Sequence, residues 1–191
     1  MFKRSQLFKS EPTWLRTQKG GLTAAPSSVR SWLYEAGSLT ARLRSAVGAE
    51  FGVRLLRQAW DRPFASEARA LGLALHGHAL VREVLLHSGG QPLVLARTVI
   101  PRQALSGAQR RLAHLGDRPL GELLFTFRGL SRKCLELARV EPWDWRAPIA
   151  EEIGVDAVIW GRRSLYAVAQ DRLLVCEFFL PAVLTLPEGR T

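Results

Sequence analysis

The stretch LVREVLLHSGGQPLVLARTVIP, residues 80–101, decides the fold. Two apolar runs flank Gly89-Gly90, a pair suited to a two-residue turn whose central residues take positive φ. The stretch therefore predicts an antiparallel hairpin. Its arms carry charges that a buried strand does not favour. Arg82 shares a strand face with Val84 and Leu86. A turn centred on Gly89-Gly90 sets Arg82 directly opposite Arg97. Two arginines facing each other on an apolar surface repel, unless an anion or a carboxylate lies between them.

The run RLLVCEFFLP, residues 172–181, shows the same anomaly with the opposite sign. As a strand it puts Glu177 on one face with Leu173, Val175 and Phe179. A turn at Gln170-Asp171 sets Glu177 opposite Ser164, with Arg162 diagonal on the same face. A carboxylate left bare in such a place is strongly disfavoured, so it must be paired, hydrogen-bonded or protonated. Two readings stand side by side. The charges form a structural ion pair or meet solvent at a sheet edge, or they line a small cavity containing cations and one carboxyl group.

Around these two runs the chain alternates between strand-like and helix-like pieces. Ser27 and Ser28 precede Val29, Trp32 and Leu33, Gly37 ends that helix, and Ser38 caps a second carrying Leu39, Leu43 and Val47. Residues 51–60 alternate as a half-buried strand, 64–71 suit a short helix, and 105–124 read as a second helical hairpin broken at Gly116. Further strands are expected at 128–139, 157–168 and 172–180, with 141–155 as an inserted acidic loop. Residues 1–25 read as a basic arm that Trp14 and Leu15 tack to the body, and 26–191 as one domain. The expected fold class is α+β: a single domain with an antiparallel sheet of about six strands, covered by two helical hairpins over a buried ligand pocket.

Composition narrows the chemistry. The net charge of +10 is nearly all arginine, since lysine occurs only at Lys3, Lys9, Lys19 and Lys133. The arginines are spread along the chain, some inside apolar runs, which fits carboxylate recognition better than a phosphate-tracking patch. No nucleic-acid partner is expected. Cys134 and Cys176 lie in apolar stretches without paired spacing, as in a reducing cytoplasm. No run reaches the roughly 20 apolar residues of a membrane span. His76, His78, His87 and His114 have no Cys or carboxylate at metal-ligand spacing, and neither a phosphate-cradling glycine loop nor a G-x-S-x-G elbow is present. Trp32, Trp60 and Trp160 read as core or pocket packing.

The ordered set of motifs resembles the chorismate pyruvate-lyases. It comprises Arg82-Glu83 followed by Gly90-Gln-Pro92 and Arg97-Thr98-Val-Ile-Pro101, then Pro119-Leu120-Gly121, Trp160-Gly161-Arg162-Arg163-Ser164 and Glu177-Phe-Phe-Leu-Pro181, with Ser38-Leu39-Thr40 as a looser match. The likeness runs from about residue 28 to 183, and it is specific only in combination. It implies cofactor-independent cleavage of chorismate to 4-hydroxybenzoate and pyruvate, the first committed step of ubiquinone biosynthesis, by a cytoplasmic monomer with no metal. It also implies site contributions from Arg82, Glu177, Leu39 and Leu120. In that frame Arg82 clamps the ring carboxylate and Glu177 hydrogen-bonds the hydroxyl or passes a proton. Arg97 or Arg162 receives the enolpyruvyl carboxylate, while Leu39 and Leu120 close over the ring as flaps, predicting product inhibition. Leu39 departs from a frequent methionine, a swap of similar volume, and 141–155 is longer than the usual connection. The competing reading is a non-catalytic sensor of small aromatic acids, because the ligand domain of some bacterial transcription regulators resembles this fold. Residues 1–25 are too short for the winged helix such regulators carry first.

Overall fold

A computed structural model describes residues 5–16, 25–74 and 76–187; residues 1–4 and 17–24 of the expected arm lie outside them. Strands β1 (Leu15–Arg16), β2 (Phe51–Asp61), β3 (Ala79–Ser88), β4 (Gln91–Pro101), β5 (Ser131–Val140), β6 (Ile159–Val168) and β7 (Asp171–Phe179) form one antiparallel sheet. Their spatial order is β1-β5-β6-β7-β4-β3-β2. The sequence had shown about six; the addition is the two-residue β1, which pairs Leu15 with Leu137. The architecture is α+β as expected.

Both faces of the central strands are covered, which is why their sequences read as continuous apolar runs instead of alternating ones. On the front face lie α1 (Ser27–Leu33), α2 (Leu39–Val47), the 3₁₀ turns Arg102–Leu105 and Gly107–His114, and α4 (Leu120–Leu124). Val29, Trp32 and Leu33 bury one side of α1 against Val84, Val94 and Phe179. Ser38 caps α2 by accepting a hydrogen bond from the Ala41 amide (3.3 Å). The second helical hairpin is only partly α-helical. Two of its carbonyls, on Gly116 and Arg118, are taken by the Arg82 guanidinium, which ties the loop between the 3₁₀ turn and α4 down to the sheet.

On the back face lie residues 5–14, α3 (Ala65–Leu71) and α5 (Ala147–Ile153). The 141–155 segment is no open loop. A 3₁₀ turn at Pro142–Asp144 leads into α5, and Trp145 is buried against Phe8 and Phe178. The amino-terminal segment folds with it: Phe8 bridges Trp145, and the Arg146 amide donates to the Leu7 carbonyl. Leu7 and Phe8 are fully buried, whereas Leu15, expected as an anchor, is exposed and contributes backbone pairing. Trp60 is also exposed, with Arg102 stacked on its ring.

Register decides which charges meet. At the Gly89-Gly90 end, Ser88 pairs with Gln91 and His87 with Pro92, as a two-residue turn requires. A bulge then inserts Leu93, so Leu86 pairs with Val94, Arg82 with Thr98 and Glu83 with Arg97. Pro92 lacks the amide hydrogen that would continue the ladder, and the extra residue Leu93 gives its carbonyl to the Leu180 amide. The expected Arg82–Arg97 juxtaposition therefore does not form. The slip by one residue sends Arg97 through the sheet to the back face. The β6–β7 turn also sits one residue earlier than expected, at Ala169-Gln170, where Ala169 takes φ 55°. Arg162 thus pairs directly with Glu177, and Ser164 with Val175.

Candidate functional site

The front face and the two helical pieces enclose a cavity. Leu39 and Leu120, the first residues of α2 and α4, close it from above. Below them the sheet supplies Arg82 from β3, Thr98 from β4, Arg162 and Tyr166 from β6, and Glu177 from β7. Val84, Ala96, Val175 and Phe125 make the rest of the wall apolar. The two lids meet at Gly121. A Cβ there would lie 2.7 Å from Thr40 Oγ1 and 2.9 Å from Ser38 Oγ, so only glycine lets α4 approach the start of α2 this closely.

Arg82 stands at one end, 1% exposed. One nitrogen, Nη2, donates to the carbonyls of Gly116 (3.0 Å) and Arg118 (2.9 Å), while Nε is buried with no hydrogen-bond partner among the described residues. Burial pulls its pKa down to about 10, with Asp117 acting weakly against that trend. The group is still a cation at neutral pH, and no carboxylate among the described residues is paired with it, so it is prepared to receive an anion.

At the other end Glu177 Oε2 accepts from Arg162 Nε at 2.5 Å. Burial acts to lower the Arg162 pKa, but the charge and hydrogen bond of Glu177 outweigh it and the net shift is upward. Tyr166 lies beside this pair. Burial first, then the Glu177 carboxylate, raises its pKa, so the phenol stays protonated as a neutral donor. Arg82 and Glu177 are two strands and two residues apart, roughly 12 Å between Cα atoms. No ion pair joins them.

The structure brings together Leu39, Arg82, Leu120, Arg162 and Glu177 from the residues that the sequence singled out. Arg97 is not among them. It lies on the back face, where Nε and Nη2 donate to Glu67 (2.7 and 2.9 Å) and Nη1 to Glu83 (2.7 Å), all three side chains buried. Sequence reasoning missed Thr98 and Tyr166. Tyr166 was reachable by alternation, four residues beyond Arg162 on the same strand, whereas Thr98 required knowledge of the bulge. Among the described residues, no group of three or more His, Cys, Asp or Glu side chains is placed to hold a metal ion.

Comparison with known proteins gives a consistent family assignment. Residues 8–186 match the family model described as chorismate lyase. A probable chorismate pyruvate-lyase of Methylococcus capsulatus is 53% identical over 161 residues, covering 84% of this chain and 99% of that protein. One from an Azoarcus species is 41% identical over 170 residues, covering 86% and 89%. Among solved structures, PhnF from Mycobacterium smegmatis superposes with a TM-score of 0.59 at 20% identity, covering 80% of this chain and 67% of that one. A GntR-family regulator from Bacillus cereus gives 0.56 at 11% identity, covering 75% and 100%. At such identities these two structures share the fold alone.

Proposed function

Since the chain belongs to the chorismate lyase family, we propose that it converts chorismate to 4-hydroxybenzoate and pyruvate, the entry into ubiquinone biosynthesis, in the cavity under its two lids. The observation that supports this most directly is one apolar cavity with an anion-ready cation at one end and a held carboxylate at the other. A sensor of the same fold is disfavoured, because the regulators share only the fold, whereas the relatives of 41–53% identity are named as lyases.

In this reading the ring carboxylate lies on Arg82, whose Nε is the open donor. The hydroxyl-bearing side of the ring faces Glu177 and Tyr166. The ring C–O bond to the enolpyruvyl group breaks, the neighbouring carbon bearing the hydroxyl loses its proton, and the departing enolpyruvate is protonated to pyruvate. Aromatisation drives the step, so the protein needs to orient the ring, exclude water and accept one proton, the last assigned to Glu177. Leu39 and Leu120 hold the ring's faces. No helix among the described residues is long and apolar enough to cross a membrane. The free, unpaired Cys134 and Cys176 fit the further proposal of a cytoplasmic location, and a monomer is proposed with it. Arg82, Arg97, Arg162 and Arg163 are taken up by internal carboxylates and carbonyls, which supports the further proposal that no nucleic acid is a partner.

Incubating purified protein with chorismate while following both products tests the reading; binding without turnover would return it to the sensor. Within it, Arg82→Ala is expected to weaken 4-hydroxybenzoate binding by at least about 2 kcal/mol, roughly thirtyfold, as loss of a desolvated ionic contact does. Unchanged affinity by calorimetry would remove Arg82 from the carboxylate. Gly121→Ala is expected to wedge α4 from α2 and speed product dissociation by roughly tenfold, the equivalent of one good hydrogen bond lost between lids. A stopped-flow release rate equal to that of the parent would show that the lids do not limit escape.

A further inference from the structure

Arg162 has more partners than a substrate-binding arginine needs. It is 1% exposed, and three of its N–H groups are engaged at once. Nε holds Glu177 Oε2 at 2.5 Å, while Nη1 donates to the backbone carbonyls of Trp32 (3.0 Å) and Glu35 (2.8 Å). Those carbonyls belong to the end of α1 and the turn that leads into α2, the lid carrying Leu39. One guanidinium thus joins the carboxylate of the site to the backbone of the first lid.

The same turn is held from two other sides. Arg132 on β5 donates to the Glu35 carbonyl at 2.8 Å. Arg42 on α2 donates to the Ser31 carbonyl at 2.7 Å and lies over the Trp32 ring. Among these three arginines only Arg162 lines the cavity. From this arrangement, which rests on the lyase reading above, we infer that Arg162 is a positioning residue that couples the orientation of Glu177 to closure of the first lid, and is not the receptor for the enolpyruvyl carboxylate.

The physical basis is the cost of leaving donors unpaired. Lifting the α1–α2 turn from the sheet strips Arg162 of two acceptors, and a buried guanidinium left short of partners re-aims toward whatever oxygen remains. Glu177 then loses its fixed direction toward the ring. Conversely, a fixed Glu177 holds Arg162 where the two carbonyls can dock. Lid closure and carboxylate alignment are therefore two readouts of one equilibrium, and each must favour the other to the same degree. A receptor role would instead need a free, planar fork, and most of this fork is occupied.

The product gives the decisive contrast, because 4-hydroxybenzoate lacks the enolpyruvyl carboxylate. In the full chain, Arg162→Lys keeps the charge but cannot span a carboxylate and two carbonyls. It is expected to lower kcat by about a hundredfold, the effect of a small misplacement of a reacting group, with KM for chorismate changed less than about threefold. Dissociation of 4-hydroxybenzoate is expected to speed up by roughly tenfold, since the lid loses charged hydrogen bonds. If KM rises by about tenfold or more while product dissociation stays at the parental rate, Arg162 holds the second carboxylate and the coupling is wrong. Arg132→Gln removes a neighbouring hold on the same Glu35 carbonyl without touching the cavity. It is expected to speed product dissociation by at least about threefold. An unchanged rate there overturns the coupling even if the Arg162 variant fails to fold. Inactivity of the parent protein toward chorismate would sink the lyase reading itself, whereas an active parent with unaltered variants sinks the coupling alone.

Discussion

Replacing Arg97 with methionine is expected to cost about 3–5 kcal/mol of folding stability while leaving affinity for 4-hydroxybenzoate within about threefold of the parent. The guanidinium is buried between two buried carboxylates, Glu67 on α3 and Glu83 on β3, and stacks against Phe64. Their charges outweigh the burial that would otherwise lower its pKa, and the net shift is upward. Glu83 also accepts from Ser5 Oγ (2.6 Å) and the Gln6 amide (2.7 Å), and Glu67 from the Phe64 amide (2.8 Å). The group therefore ties the amino-terminal segment and α3 to the centre of the sheet. Methionine fills much of the volume but leaves two carboxylates without a cation, a worse state than either the intact group or an apolar replacement of all three. Urea denaturation measures the loss. A stable Arg97→Met protein that has lost product affinity would instead put Arg97 at the ligand.

That contrast marks where the sequence stopped being informative. The hairpin, the two buried arginines on it and the impossibility of leaving them unpaired were all legible at residues 80–101. Which side each arginine takes was not, because it depends on a single inserted residue. Leu93 carries no local signature of a bulge beyond its position after Pro92, and its role is fixed by Leu180, which is 87 positions away in the chain. The same limit applies to Glu177. Its shared face with Arg162 was legible from alternation, but the direct pairing depended on a turn one residue earlier, with Ala169 in a conformation that side chains rarely adopt.

The back face shows a different limit. Phe8, Trp145 and Phe178 come from three distant parts of the chain, and each alone looks like an ordinary apolar residue in a polar or strand context. The acidic character of 141–155 suggested a loop because its charges are local, whereas its burial comes from Leu7 and Phe8. Tertiary packing, absent from any short window, converts that segment into a turn and a helix. The site proper was easier to read than the fold around it, since buried charges announce themselves and apolar contacts do not.

Glu177→Gln is expected to lower kcat by about 10²–10⁴-fold, the usual contribution of a positioned proton acceptor. Glutamine keeps the side-chain shape and an oxygen for Arg162 Nε, so the lid's attachment through the Trp32 and Glu35 carbonyls is retained. Product affinity is accordingly expected to stay within about an order of magnitude, and product dissociation close to the parental rate, because a carbonyl oxygen can still accept from the ligand. The loss of charge does leave the buried Arg162 less well compensated, so rates are to be expressed per folded molecule after a denaturation control. The comparison with Arg162 variants then separates two ways of losing turnover. If the carboxylate acts as the acceptor, Glu177→Gln slows chemistry alone, while Arg162→Lys slows chemistry and loosens the lid together. Near-parental turnover in Glu177→Gln would exclude an essential proton role. Glu177 would then remain as a hydrogen-bonding end wall, and the proton would have to leave through another group in contact with the ring; the Tyr166 phenol is a further polar group lining that side of the cavity.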